Sequence, residues 1–262
     1  QIVADCLEVP FDTIAIVQGD TDVIADGPGT GGSRSVIFGG AAMADAAKKV
    51  IEQGRGLAAE MLEAAAADIG YADGQFTIHG TDRRVGLFDV AAKGGGLAAD
   101  GHFKPEVSRS FPNGCHVCEV EVDPETGVVD IVRYTVVDDF GKVINPLLVA
   151  GQVHGGTVAG IGQALCEHTV FDEAGQLLTG SYVDYCMPRA GDVPSFDFSY
   201  NEILCRTNPL GVKGCGEAGT MGGVPSVVNA TLDALAPLGV TDIEMPLTPH
   251  RVWQTIQNAK AA

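Results

Sequence analysis

The chain has 262 residues, 45% of them hydrophobic, enough to bury a substantial core as one large domain or two small ones. Sixteen basic against thirty-four acidic residues give a formal net charge of −18, a surplus that repels phosphate backbones and anionic headgroups and so argues against nucleic acid or a membrane surface as partner. No run approaches the ~20 apolar residues of a bilayer span and no basic-then-apolar leader opens the sequence. The expectation is therefore a soluble cytoplasmic protein whose seven cysteines are reduced thiols.

In chain order, Ile2, Val3, Cys6 and Leu7 have helical spacing without a capping residue before them, so further chain is expected upstream or on another polypeptide. Residues 13–18 read as a strand entering a turn, 20–32 as a polar glycine-rich loop, and 40–67 as a helix broken near Gly54. A short strand at Gln75 to His79, a small helix at Leu87 to Ala92 and a mobile Gly94-Gly-Gly stretch follow. Cys115 to Val122 and Val128 to Val137 flank Asp123-Pro-Glu-Thr-Gly127, a turn sequence, and predict an antiparallel hairpin. Within it Cys115 and Cys118 fall on opposite faces, and no second ligand pair at zinc spacing accompanies them.

Pro146 to Leu165 reads as a helix, with Val149, Val153, Val158, Ile161 and Leu165 along one face. Strands are expected around His168 to Phe171 and Phe196 to Leu204, and final helices over Ser226 to Leu235 and Thr248 to Asn258. Without a regular βαβ rhythm or an internal repeat, the predicted class is α+β, mixed helices and antiparallel hairpins.

Three glycine-rich stretches could carry chemistry. In Gly29-Thr-Gly-Gly-Ser-Arg-Ser35 the glycines expose backbone N–H groups, and the hydroxyls of Thr30, Ser33 and Ser35 add donors before a helix whose N-terminal dipole favours an anion. The Walker and Rossmann spacings are not met, and on composition alone a capped turn, whose hydroxyls merely satisfy the helix end, is the simpler reading. In Gly151-Gln-Val-His-Gly-Gly156, Gln152 can hold a polar heterocycle, or can simply face water, and His154 can be an ordinary interior histidine. In Gly211-Val-Lys-Gly-Cys-Gly-Glu217-Ala-Gly-Thr-Met-Gly-Gly223, one acid is displayed among glycines. A poorly hydrated pocket raises a carboxyl's pKa and suits it to general-base work, whereas a Lys213–Glu217 salt bridge is the plainer alternative. Asp138-Asp139 and Asp184 lack a third ligand at suitable spacing and read as structural acids.

These stretches, with Ser181-Tyr-Val-Asp-Tyr-Cys-Met-Pro-Arg189, resemble in order the molybdenum hydroxylase large subunit, the xanthine dehydrogenase, aldehyde oxidase and aerobic carbon monoxide dehydrogenase family. The resemblance implies that residues 1–262 are the C-terminal part, the second half, of a molybdopterin-binding domain. It implies a molybdopterin cofactor carrying molybdenum, in the cytosine dinucleotide form, contacted by Thr30, Gly31, Gly32, Ser33, Ser35, Gln152 and Gly216, with no protein ligand to the metal. Glu217 becomes the base that takes a proton from the water-derived oxygen added to an aldehyde or N-heterocycle. FAD and [2Fe-2S] clusters are expected on partner chains, an FAD subunit and an iron–sulfur subunit.

The family's front glycine-rich motif, its active-site loop and its apical glutamine have no counterpart here. The expectation is a chain inactive alone, which completes its site with the remaining part of the large subunit. Gly216-Glu-Ala-Gly-Thr-Met departs from the carbon monoxide dehydrogenase form, which tilts the expectation to a hydroxylase. A carbon monoxide dehydrogenase-like subunit, a non-catalytic phosphate- or nucleotide-binding module and an assembly subunit are the alternatives.

Overall fold

The computed structural model describes residues 1–24, 27, 29–107 and 109–261. The backbone divides into two compact units, one of residues 1–109 with 205–212, the other of 110–204 with 213–262.

The first unit starts with helix α1 (Ile2–Leu7) and carries the long helix α2 (Ala41–Leu62), a small antiparallel sheet of β1 (Ile69–Ala72), β2 (Gln75–Ile78) and β3 (Arg84–Gly86), and helix α3 (Leu87–Lys93). Its core gathers Ala58, Leu62, Ile69, Phe76, Leu87 and Val90. Helix α2 runs unbroken through Gly54, where a Cβ would come within 2.5 Å of the Phe76 ring. This glycine permits a close packing contact instead of ending the helix. The strand expected over 13–18 does not form. After a 3₁₀ turn at Phe11–Thr13 the backbone is irregular, and Ile16 and Val17 are exposed, with no strand paired to them among the described residues. Of the expected loop over 20–32, Ala25, Asp26 and Pro28 lie outside the described residues.

The second unit contains β4 (Asn113–Val122), β5 (Val129–Asp139), α4 (Pro146–Leu165), β6 (Phe196–Asn201), α5 (Ala218–Leu235) and α6 (Pro249–Ala261). β4 and β5 form the expected antiparallel hairpin, with a bulge between Glu119 and Val120. At its turn Gly127 has φ 76°, and a Cβ there would collide with the carbonyl oxygen of Pro249. Cys118 packs toward the core and Cys115 is exposed, so the two thiols do occupy opposite faces.

β6 joins β5 in parallel, so this sheet is mixed, and helix α4 lies in the crossover connection. Around 168–171 only an isolated bridge, Phe171 to Leu177, is present in place of a strand. Helix α4 is set by Asn145, whose Oδ1 accepts the Leu148 N–H at 3.2 Å, and by Pro146 in its first turn. Its Val153 and Ile161 join Tyr134, Val136, Phe140 and Val227 in one core, while α6 buries Val252 and Ile256 with Leu235 and Leu247 in another.

Helix α5 begins at Ala218, eight residues before the expected Ser226, and carries Pro225 inside it. Its glycines mark a loop by propensity but serve packing here, because α4 and α5 approach at backbone distance. A Cβ on Gly219 would stand 2.5 Å from the Val153 carbonyl oxygen, and one on Gly160 would stand 2.9 Å from the Val224 nitrogen. Thr220 adds a bond from its hydroxyl to the Gly156 carbonyl at 3.0 Å.

Candidate functional site

The candidate residues fall in both units, and each group is described within its own.

In the first unit, residues 29–35 form a tight turn that opens into helix. Gly29, Gly32 and Ser33 have φ of 72°, 63° and 55°, and a π-helical turn (Val36–Gly40) leads into α2. The Thr30 and Ser35 hydroxyls are hydrogen-bonded to each other across the turn, and both residues are exposed. Nothing lies within 4 Å of the Cβ positions of Gly29, Gly31 and Gly32, so the backbone faces open space there. Arg34 closes the turn: its Nη2 donates to the Gly29 carbonyl at 3.2 Å and its guanidinium stands 5.7 Å from the Phe38 ring centroid. Exposed hydroxyls, uncovered backbone, a helix start and a guanidinium together suit a phosphate. Arg34 is absent from the sequence-derived contact set, although its place inside the motif signals it.

In the second unit, the α4–α5 packing brings Gln152 and Glu217 toward one another. Gly219 contacts Val153 and Thr157, so each candidate lies within two residues of the same helix crossing. Glu217 is the N-cap residue of α5, with φ −111° and ψ −10°, and it is exposed, as are Gly216 and Gln152. His154 is exposed as well, 5.4 Å from the Phe196 ring and 6.2 Å from that of Phe198, not an interior histidine.

Lys213 directs its ammonium to Asp139 on β5, which displaces the Lys213–Glu217 alternative. Burial acts to raise the Asp139 carboxyl, but the Lys213 ammonium and the Gly141 and Ile203 amides, at 2.9 and 3.1 Å, outweigh it and hold its pKa below the ordinary value. The neighbouring Asp138 faces His116, with Nε2 3.5 Å from Oδ1, and His116 Nδ1 lies 3.0 Å from the Tyr134 hydroxyl. Burial pushes that phenol up to about 12, against the opposing Ser226 hydrogen bond, so Tyr134 stays neutral. The His116 ring lies against Gly222 of α5, where a Cβ would come within 2.5 Å. Asp139 thus holds the loop, and Asp138, through His116, faces the helix that carries Glu217. Asp184 likewise accepts the Ser181 hydroxyl at 2.7 Å. In the sequence, the alternation of β4 marks His116 only as an inward position. Among the described residues no cluster of three metal-ligating side chains occurs.

The sequence profile of the molybdopterin cofactor-binding domain family matches residues 1–194, three quarters of the chain. The chain belongs to this molybdopterin cofactor-binding family of molybdenum hydroxylase large subunits. It is 37% identical over 274 residues to the 6-hydroxypseudooxynicotine dehydrogenase complex subunit gamma of Paenarthrobacter nicotinovorans, and 34% identical over 272 residues to the carbon monoxide dehydrogenase large chain of Hydrogenophaga pseudoflava. Each match covers 100% of this chain and 34% of the relative.

Among solved structures, a crystal structure of Cu,Mo-CO dehydrogenase superposes with a TM-score of 0.92 at 33% identity, over 99% of this chain and 34% of that one. Quinoline 2-oxidoreductase from Pseudomonas putida 86 gives 0.89 at 34% identity, over 98% and 34%. The chain spans about a third of the length of these relatives. The α+β fold is that of the molybdenum-cofactor-binding region. The family profile ends at 194, before Glu217, which lies in the part matched by whole-chain relatives.

Proposed function

We propose that residues 1–262 form the C-terminal part of the molybdopterin-binding domain of a molybdenum-dependent oxidoreductase, with Glu217 as its general base. The observation that carries this reading is the position of Glu217: an exposed carboxylate at the N-terminus of α5, beside the α4 turn that bears Gln152, in a chain of the molybdopterin-binding family. The donors present fit the cofactor. Thr30, Ser33 and Ser35 with the backbone of Gly31 and Gly32 would hold its phosphates, in the cytosine dinucleotide form, and Arg34 would add positive charge. Gln152 and the Gly216 backbone would contact its polar edge.

The bound group supplies the two-electron redox chemistry. Glu217 accepts, at a carboxylate oxygen, the proton released as a water-derived oxygen is delivered to an electron-poor carbon. An N-heterocycle or aldehyde is the proposed substrate class, supported by relatives named for nicotine hydroxylation and quinoline oxidoreduction. Electrons would pass to [2Fe-2S] and FAD groups on partner subunits, in keeping with relatives named as a large chain and as a subunit of a complex. Turnover would require the remaining part of the large subunit, and a cytoplasmic location is part of the same proposal. Carbon monoxide oxidation is the second reading, favoured by the 34% identity to carbon monoxide dehydrogenase large chains.

Glu217→Gln in the complete enzyme tests the assignment. Turnover is expected to fall ~10²-fold or more with cofactor content unchanged, whereas unaltered turnover would remove Glu217 from the chemistry.

A further inference from the structure

The C-terminus of α4 and the segment 181–189 are held together by contacts on both sides of a pair of cysteines. Tyr185 donates its hydroxyl to Glu167 Oε2 at 2.6 Å. Pro188 lies over buried Gly162, where a Cβ would come within 2.6 Å of the proline Cγ. Tyr185 is fixed in turn by its own N–H, which bonds to the Ser181 carbonyl at 2.8 Å. Cys186 stands between Tyr185 and Pro188, and Cys166 directly precedes Glu167, so these anchors set the two thiols beside one another. Both are free thiols; Cys186 is exposed and Cys166 half-buried.

We propose that Cys166 and Cys186 form a modification site, an oxidisable thiol pair that a peroxide-class oxidant closes into an intramolecular disulfide. The exposed Cys186 thiolate attacks one peroxide oxygen; the O–O bond breaks, water leaves after protonation, and the sulfur becomes a sulfenic acid, two electrons more oxidised. The Cys166 sulfur then attacks the Cys186 sulfur. The S–S bond forms as the S–O bond breaks, and the departing hydroxide takes the Cys166 thiol proton and leaves as a second water. Two thiols and one peroxide thus give one disulfide and two waters.

The order of attack follows from the surroundings. Burial, then the charge of the neighbouring Cys186 thiolate, push the Cys166 thiol up to about 12, so it is the poorer first nucleophile. Conversion of Cys186 to a neutral sulfenic acid removes the charge that opposes ionisation of Cys166. The bond would tie the 181–189 segment covalently to the end of α4. It is independent of the molybdenum reading, since neither cysteine belongs to the candidate cofactor contacts.

The test is peptide mapping of the intact enzyme containing this chain after exposure to hydrogen peroxide, alkylation and digestion without reduction. A linked Cys166–Cys186 peptide is expected, lost on dithiothreitol treatment, with two fewer titratable thiols per chain. Cys166→Ser should leave Cys186 as a trappable sulfenic acid, and Cys186→Ser should leave Cys166 a thiol. Oxidation of Cys186 to sulfinic acid, or its pairing with any other thiol, without the linked peptide in the wild-type protein would overturn the proposal. That mapping needs no variant.

Discussion

Lys213 donates its ammonium to Asp139 Oδ2, and both side chains are buried, 9% and 6% exposed. The lysine backbone is fixed as well, its N–H bonding to the Phe140 carbonyl at 2.7 Å. Lys213 is thereby anchored to the end of β5, four residues before Glu217, and this pair sets where the glycine-rich run enters α5.

Replacing Lys213 by Met would leave Asp139 as a buried charge without a counter-ion. The expected loss is about 3–5 kcal/mol of stability, measured by denaturant unfolding, and adding Asp139→Asn to the same variant should recover part of it.

The same pair gives a pH dependence. Burial works to raise Asp139 but the lysine and two backbone amides lower it further, so its folded pKa is depressed. Its contribution is therefore fully present above the unfolded aspartate value of ~3.9 and is lost as pH falls through the lower folded value. Melting temperature followed from neutral to acid pH should fall on that acidic limb, and less steeply in Asp139→Asn than in the wild type.

Gly219→Ala places a methyl group 2.5 Å from the Val153 carbonyl oxygen and 2.6 Å from the Thr157 nitrogen, both backbone atoms that cannot swing aside. The helices must separate, at about 1–3 kcal/mol. A lower melting temperature is expected, whereas Gly151→Ala, whose added Cβ meets nothing within 4 Å, should change it little.

Thr30→Ala combined with Ser35→Ala removes two exposed hydroxyls proposed to bind cofactor phosphate. At about 1 kcal/mol for each lost hydrogen bond, cofactor affinity should fall ~30-fold. Pterin content of the purified complete enzyme reads this out, with Thr13→Ala, whose hydroxyl serves the Pro10 carbonyl, as a control that should retain full content.

Local signals carried much of this fold. Asn145 and Pro146 start α4, and Asp123 through Gly127 turn the β4–β5 hairpin, because each feature is settled by a few neighbouring residues. The start of α5 was hidden because its stability comes from α4 across the backbone contact at Gly219, which no local pattern of Ala218 to Pro225 reveals. The parallel pairing of β6 with β5 depends on distant chain for the same reason. At the candidate site, Thr30, Ser35 and Glu217 were legible as polar groups displayed among glycines. The partner of Lys213 was not, since Asp139 lies 74 residues away.

The most direct measurement of the central claim is elemental and pterin analysis of the native complex, isolated from its source through this chain, with mass spectrometry of every co-purifying polypeptide. Molybdenum and pterin in a one-to-one ratio with the chain, alongside iron–sulfur and FAD subunits, are the predicted result. An intact complex that contains neither molybdenum nor pterin would contradict it.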